Sequence, residues 1–199
     1  MTIGIIGAGG IGQAIAGHLV AAGYETVVSN SRGPESLAEL VKNLGLLVMA
    51  GTRQDAAQAE VVFLAVPWPQ VRAALSDLPP WKGRILIDAT NPVIEPGRTL
   101  AQLGGRTSSE IVASLAPGAR VVKAANTLPR AILSADPRQL GGHRVMFMSG
   151  DDETAKTHVK GLLEELGFAP IDLGTLAVGG QLQQFPGGPL PVLNLIKLG

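Results

Sequence analysis

The chain has 199 residues, 46% of them hydrophobic and 16% charged, which suits one compact domain with a sizeable core and excludes a disordered or fibrous chain. Sixteen basic and sixteen acidic residues give a formal net charge of zero with no run of like sign, so the footprint of a nucleic-acid binder is missing. The absence of cysteine excludes disulfides, thiolate metal sites and a cysteine nucleophile, and is compatible with the cytoplasm.

In chain order, the uncharged stretch from Thr2 to Tyr24 has no basic leader. Its seven glycines follow a strand-turn-helix rhythm, so it reads as part of a soluble domain and not as a signal peptide or membrane span. Short β-rich runs at 2–7, 25–29, 46–49, 60–66, 84–89 and 120–124 read as strands. Helical patterns lie between them at 11–22, 34–43, 54–58, 69–76 and 108–115. Apolar strands alternating with helices predict a doubly wound α/β domain, with a parallel sheet covered on both faces. Extra strands are expected at 144–150 and at "APIDLG" (169–174), around a helix at 151–166 whose acidic start suits its dipole. From Thr175 the paired glycines and prolines predict a short, broken helical tail. The whole chain, 1–199, reads as one domain, with 144–199 an extension that completes the pocket for a second substrate.

The pattern Gly7-x-Gly9-x-x-Gly12 follows the first strand and opens the first helix, the context in which it signals dinucleotide binding. Gly7 permits the tight turn, Gly9 lets backbone approach a pyrophosphate, and Gly12 lets helix pack closely on strand. The N–H groups around Gly10 and Ile11 point along the positive end of the helix. Asn30 lies near the place where an NAD-binding protein carries an acid that bonds the ribose hydroxyls, and there is no acid. A carboxylate would repel a 2′-phosphate, whereas Ser31 can donate a hydrogen bond and Arg32 can make charge-assisted contacts. The implied cofactor is NADP. Ser31 or Gly33 can equally cap a helix that begins at Pro34, which is compatible with phosphate binding.

Three further loops end predicted parallel strands, where ligands bind in open α/β sheets. Val66, Pro67 and Trp68 are candidates for the nicotinamide side, with Trp68 either a pocket wall or a packed loop residue. Asn91 and Asn126 can bond a carboxamide or the edge of a flat ring, or fix their own turns. Thr127 and Leu128 would face the second substrate, with Val178 to Gln181 close by. No residue is singled out as catalytic and no metal site is expected. His18, His143 and His158 read as structural or solvated, Lys123 as a strand-end anchor or a catalytic group, and Tyr24 has no lysine four residues on. Without a positioned proton donor, hydride transfer between nicotinamide and a flavin-like ring fits better than carbonyl reduction.

Together "GIIGAGGIGQAIA", "SNSRGPESL", "AVPW", "DATNP", "VVKAANTLP", "SGDDETAK" and "LGFAPIDLGTLAVGGQLQQ" resemble the coenzyme F420-dependent NADP oxidoreductases, whose relatives include the cytoplasmic oxidoreductase domains of membrane metalloreductases. The resemblance covers nearly the whole chain and implies an NAD(P)-binding Rossmann fold. It implies that Ser31 and Arg32 hold the 2′-phosphate, Gly9 to Ile11 the pyrophosphate, Val66 to Trp68 the nicotinamide side, and Asn126 to Pro129 the pocket for a deazaflavin (coenzyme F420) or flavin (FMN or FAD) ring. The loop "AANTLP" departs from the histidine-bearing loop of the deazaflavin enzymes towards the flavin-using relatives, and "QFPGGPLPVLNL" departs from a regular terminal helix. The expected activity is hydride exchange between NADP(H) and a flat acceptor, against a non-catalytic NADP(H) sensor or a small imine or ketone reductase. The apolar "LPVLNLIKL" would pack within the chain or form a homodimer.

Overall fold

The computed structural model describes residues 1–198. In chain order the elements are β1 (Thr2–Ile6), α1 (Gly10–Ala21), β2 (Glu25–Ser29), α2 (Ala38–Leu44), β3 (Val48–Ala50), α3 (Arg53–Ala56), β4 (Val61–Leu64), α4 (Val71–Leu75) and β5 (Ile85–Asp88). They continue with β6 (Val93–Ile94), β7 (Thr99–Leu100), α5 (Ser108–Leu115), β8 (Arg120–Ala124), α6 (Arg130–Leu133), β9 (Arg138–Gln139), β10 (Gly142–Gly150), α7 (Glu153–Glu165), β11 (Ala169–Asp172), α8 (Leu176–Gln183) and β12 (Ile196–Leu198). Short 3-10 turns at Pro34–Leu37 and Trp68–Gln70 lead into α2 and α4, because a proline in the first turn presets φ without costing a hydrogen bond.

The main sheet runs β11-β10-β8-β5-β4-β1-β2-β3, and the strands from β8 to β3 are all parallel. The chain therefore starts in the middle, winds outward through β2 and β3, then crosses back over β1 to β4, β5 and β8. Each central strand alternates its side chains between two apolar layers. Ile3, Ile5, Val61, Phe63, Ile85, Ile87 and Val122 face α1 and α7. Ile6, Val62, Leu64, Leu86 and Val121 face the layer of Val71, Ala74, Val112 and Leu176. Burial on both faces is why these strands read as unbroken apolar runs.

The six strands expected to form the parallel sheet do so, and the departure lies in the extra strands. β10 lies antiparallel to β8, with Met148 opposite Ala124, and β11 returns parallel to β10. After β8 the chain continues past the carboxyl end of that strand through α6 and β9, so β10 enters from there and its last residues, Met148 to Gly150, run back beside Ala124 to Val122. The tail also differs from expectation. It is helical only to Gln183 and ends in β12, which pairs antiparallel with the start of β10. Pro186 and Gly187 stop the helix, and the exposed edge of β10 offers Ile196–Leu198 a ladder.

Candidate functional site

The carboxyl ends of β1, β2 and β4 meet where the winding reverses, and the sequence makes that crevice deep. After Ile6 the chain turns at Gly7 with φ +114°, and a Cβ there would lie 2.3 Å from the Ala65 carbonyl oxygen. At Gly12 a Cβ would lie 1.9 Å from the Gly7 carbonyl oxygen, so α1 can sit this close to β1 only with glycine there. At Gly9 a Cβ would meet nothing within 4 Å. The helix has no side-chain cap and no acid in its first turn, which leaves its first N–H groups for another partner.

Beside this turn, β2 ends in a loop organised by Asn30. Its Oδ1 accepts from the Arg32 N–H at 2.9 Å, and its Nδ2 donates to Ser36 Oγ at 2.8 Å. The Asn30 side chain is thus committed to its own turn, while Ser31 and Arg32 are exposed with side chains that make no hydrogen bond among the described residues. Opposite them stands Arg53, which the sequence reading missed. A reciprocal Thr52–Asp55 capping box starts α3 and sets Arg53 facing α4, where its guanidinium donates to the Ala73, Ala74 and Ser76 carbonyls. The three strand ends enclose a cavity of about 660 Å³ that includes Gly7, Gly9, Ser31, Arg32, Arg53, Val66 and Pro67, and no acidic residue lines it. Trp68 lines neither this cavity nor the next; it packs against the apolar layer on the Leu64 face, the packed-loop alternative for this residue.

A second cavity of about 350 Å³ lies at the ends of β5 and β8. Ile11, Asn91, Asn126, Thr127 and Leu128 line it together with Arg98, Arg130 and Phe185, the last three unforeseen from sequence. Asn126 is buried, and its amide is fully engaged. Its Nδ2 donates to Asn91 Oδ1 at 2.9 Å and to the Gln183 carbonyl at 2.8 Å, and its Oδ1 accepts from Gln183 Nε2 at 3.1 Å. Asn91 returns a bond to the Asn126 carbonyl at 2.7 Å. Gln183, itself fully buried, also donates to the Phe147 carbonyl and accepts from Ser149 Oγ, so α8 is latched to the loop after β8. Val178 and Gln181 of α8 line neither cavity. Under the loop, Lys123 is fully buried against Asp88 at 3.4 Å and also donates to the Thr90 carbonyl and Ser108 Oγ. Ser109 and Thr90 complete the Asp88 carboxylate, which makes Lys123 a strand-end anchor.

A further cavity of about 770 Å³ runs along the flank of α1 beside His18, away from the reversal point; among the predicted site residues only Gly10 reaches it. His18 Nε2 faces the Leu133 carbonyl at 2.6 Å and His143 Nδ1 the Gly167 carbonyl at 2.8 Å, so each carries its proton there as a structural donor. Among the described residues there is no His, Cys, Asp and Glu cluster suited to a metal, and no helix long and apolar enough to cross a membrane.

Comparison with known proteins adds four findings. A family model described as NADP oxidoreductase coenzyme F420-dependent matches residues 2–92. Metalloreductase STEAP3 of Rattus norvegicus is 32% identical over 99% of this chain, which covers 39% of that protein; the chain spans less than two fifths of the curated relatives it matches. The crystal structure of the hypothetical protein SMa0349 from Sinorhizobium meliloti has a TM-score of 0.94 at 48% identity, covering 99% of this chain and 96% of that one. A proposed F420-dependent NADP-reductase from Arthrobacter sp. FB24 has a TM-score of 0.77 at 30% identity, covering 87% and 85%.

Proposed function

The chain belongs to the coenzyme F420-dependent NADP oxidoreductase family, and from that membership we propose that it exchanges hydride between NADP(H) and a deazaflavin, flavin or similar flat acceptor. The observation that carries the cofactor reading is the acid-free crevice at the reversal point, with Ser31, Arg32 and Arg53 on one side and the bare backbone of Gly9 on the other. Its donor set fits a 2′-phosphate: a hydroxyl and guanidinium groups, with no carboxylate to repel it. Gly9, Gly10 and Ile11 present backbone N–H groups to a pyrophosphate. Val66 and Pro67 wall the nicotinamide end, and the loop from Asn126 to Leu128 holds the acceptor, with the tail residues Phe185, Pro191 and Val192 completing its pocket.

When bound, NADPH would supply a hydride to the acceptor and become NADP⁺, and the single proton that completes the reduced ring would come from water. The residues around the second cavity do the rest by position. Ala89, Leu128, Pro129 and Pro191 keep water from the transfer path, and the engaged amides of Asn91 and Asn126 hold the loop rigid. Lys123 is spent on Asp88, so it donates no proton to the acceptor. That favours a flat ring over a carbonyl, which needs a positioned acid.

Calorimetric titration with NADPH and NADH, on wild type and Arg32→Ala, tests the cofactor reading. A charge-assisted contact contributes ~1.5–3 kcal/mol, so NADPH should bind roughly ten- to 150-fold more tightly than NADH, with the gap collapsing in the variant. Equal binding of both would remove the phosphate clamp. NADPH oxidation with FMN, FAD, riboflavin and deazaflavin then tests the activity, and tight NADPH binding without any turnover would make the chain an NADP(H) sensor instead. The proposal puts this activity in the cytoplasm, with which a cysteine-free chain is compatible. The proposal includes a homodimer formed through the tail, where Leu193, Leu195 and Leu198 remain 39%, 43% and 66% exposed. Sedimentation should give twice the 20.5 kDa of the chain, and a monomer at micromolar concentration would count against it.

A further inference from the structure

The second cavity has a charge asymmetry that hydride transfer does not require. Apart from the Thr127 hydroxyl, its floor and walls are apolar or internally satisfied: Ile11, Ala89, Leu128 and Pro191 offer no polar side chain, and the Asn126 amide is consumed by Asn91 and Gln183. No acidic residue lines it. Two arginines do, Arg98 from the β6–β7 hairpin and Arg130 from the start of α6. Both are exposed, and neither makes an ion pair or a side-chain hydrogen bond among the described residues. They differ in this from Arg53, Arg84 and Arg120, which bond backbone carbonyls, and from Arg138, which pairs with Asp136. Each of the two is nonetheless placed. The Arg98 guanidinium lies 5.0 Å from the centre of the Phe185 ring, and the Arg130 Cδ lies 2.5 Å from where a Cβ on Gly10 would be, so the absence of a side chain at Gly10 lets it lie there.

Resting on the hydride-transfer reading above, we infer that the acceptor carries a doubly anionic phosphate or carboxylate arm, held between Arg98 and Arg130 while its flat ring occupies the apolar part of the cavity. Two guanidiniums with no local counter-charge match about two negative charges, as on a phosphate monoester, and present planar forks suited to its oxygens. Phe185 limits the swing of Arg98, so less freedom is lost when the arm binds. The arm stays away from the reacting atoms, so it should lower KM and leave kcat nearly unchanged.

FMN and riboflavin share one ring system and differ by the phosphate. In NADPH oxidation, where NADPH, a proton and the flavin give NADP⁺ and the dihydroflavin, FMN should show a KM at least tenfold below that of riboflavin at similar kcat. Arg98→Ala and Arg130→Ala should each narrow the gap severalfold, and the double variant should raise the KM for FMN to that for riboflavin measured on the same variant. Quenching of flavin fluorescence on NADP⁺-saturated protein should rank the two flavins in the same order, and raising salt should weaken FMN alone. Turnover of both flavins with equal KM would overturn this inference and leave the proposed activity standing. Absence of turnover with every flat acceptor would remove both.

Discussion

Gly9 and Gly12 lie three positions apart and differ in what a methyl group would meet. At Gly12 it would run into the Gly7 carbonyl, so Gly12→Ala should cost ~1–3 kcal/mol of stability, read as a lower urea midpoint with an unchanged m-value. At Gly9 it would point into open space, so Gly9→Ala should keep stability within about 0.5 kcal/mol while weakening NADPH binding tenfold or more. Loss of stability at Gly9 with binding intact would reassign that glycine to the fold. Both positions were legible in the sequence because each is a missing Cβ at a fixed place in a strand-turn-helix unit. Arg53, Arg98 and Arg130 were not, because an arginine opening a four-residue helix or sitting in a hairpin turn carries no periodicity, and it is the order of the strands that brings its segment to a cavity. At Asn30 the structure adds what spacing could not show: its amide bonds Arg32 and Ser36 locally, as asparagine does in turns.

α3 is four residues long and depends on its cap. Hydrogen bonds from the Thr52 side chain and backbone hold the Asp55 carboxyl below its ordinary value of 3.8, so this group contributes stability above that pH and loses it as pH falls through the lowered value. Melting temperatures across pH should therefore show wild type above Asp55→Ala at neutral pH, with the gap closing below about pH 4. A gap that does not change with pH would mean that the box acts through packing alone. At the ends of β5 and β8, the Asp88–Lys123 pair makes a stronger demand. Lys123→Met leaves a buried carboxylate unpaired and should cost ~3–5 kcal/mol, most of it recovered by adding Asp88→Asn. If the single and double variants unfold at the same denaturant concentration, the pair is not the anchor. Sequence spacing placed Lys123 on the right strand, but its partner lies 35 residues away on a neighbouring strand, a distance that no local pattern spans.

The first half of the fold is joined to its C-terminal extension at several points, one of which can be titrated. Tyr24, the only tyrosine, follows α1 and hydrogen-bonds Glu165 at the end of α7. That bond, then burial, then the Glu165 charge push its pKa from 10.0 up to about 12. The folded value is the raised one, so the stabilisation is complete below about pH 10 and is lost as pH rises through 12. Ultraviolet titration of the phenol should therefore give a midpoint near 12, and a midpoint near 10 would mean that the contact is absent in solution. Local chemistry, legible residue by residue, was enough for the parallel α/β core, the glycine turn after β1 and the missing acid after β2, since apolar period, glycine placement and charge act over a few positions. The antiparallel entry of β10, the pairing of β12, the engagement of Asn126 by Gln183 and the gathering of Arg98, Arg130 and Phe185 around one cavity depend on which distant segments become neighbours. That choice is made by the burial of whole faces and the pairing of strand edges, and no short stretch of the chain encodes it.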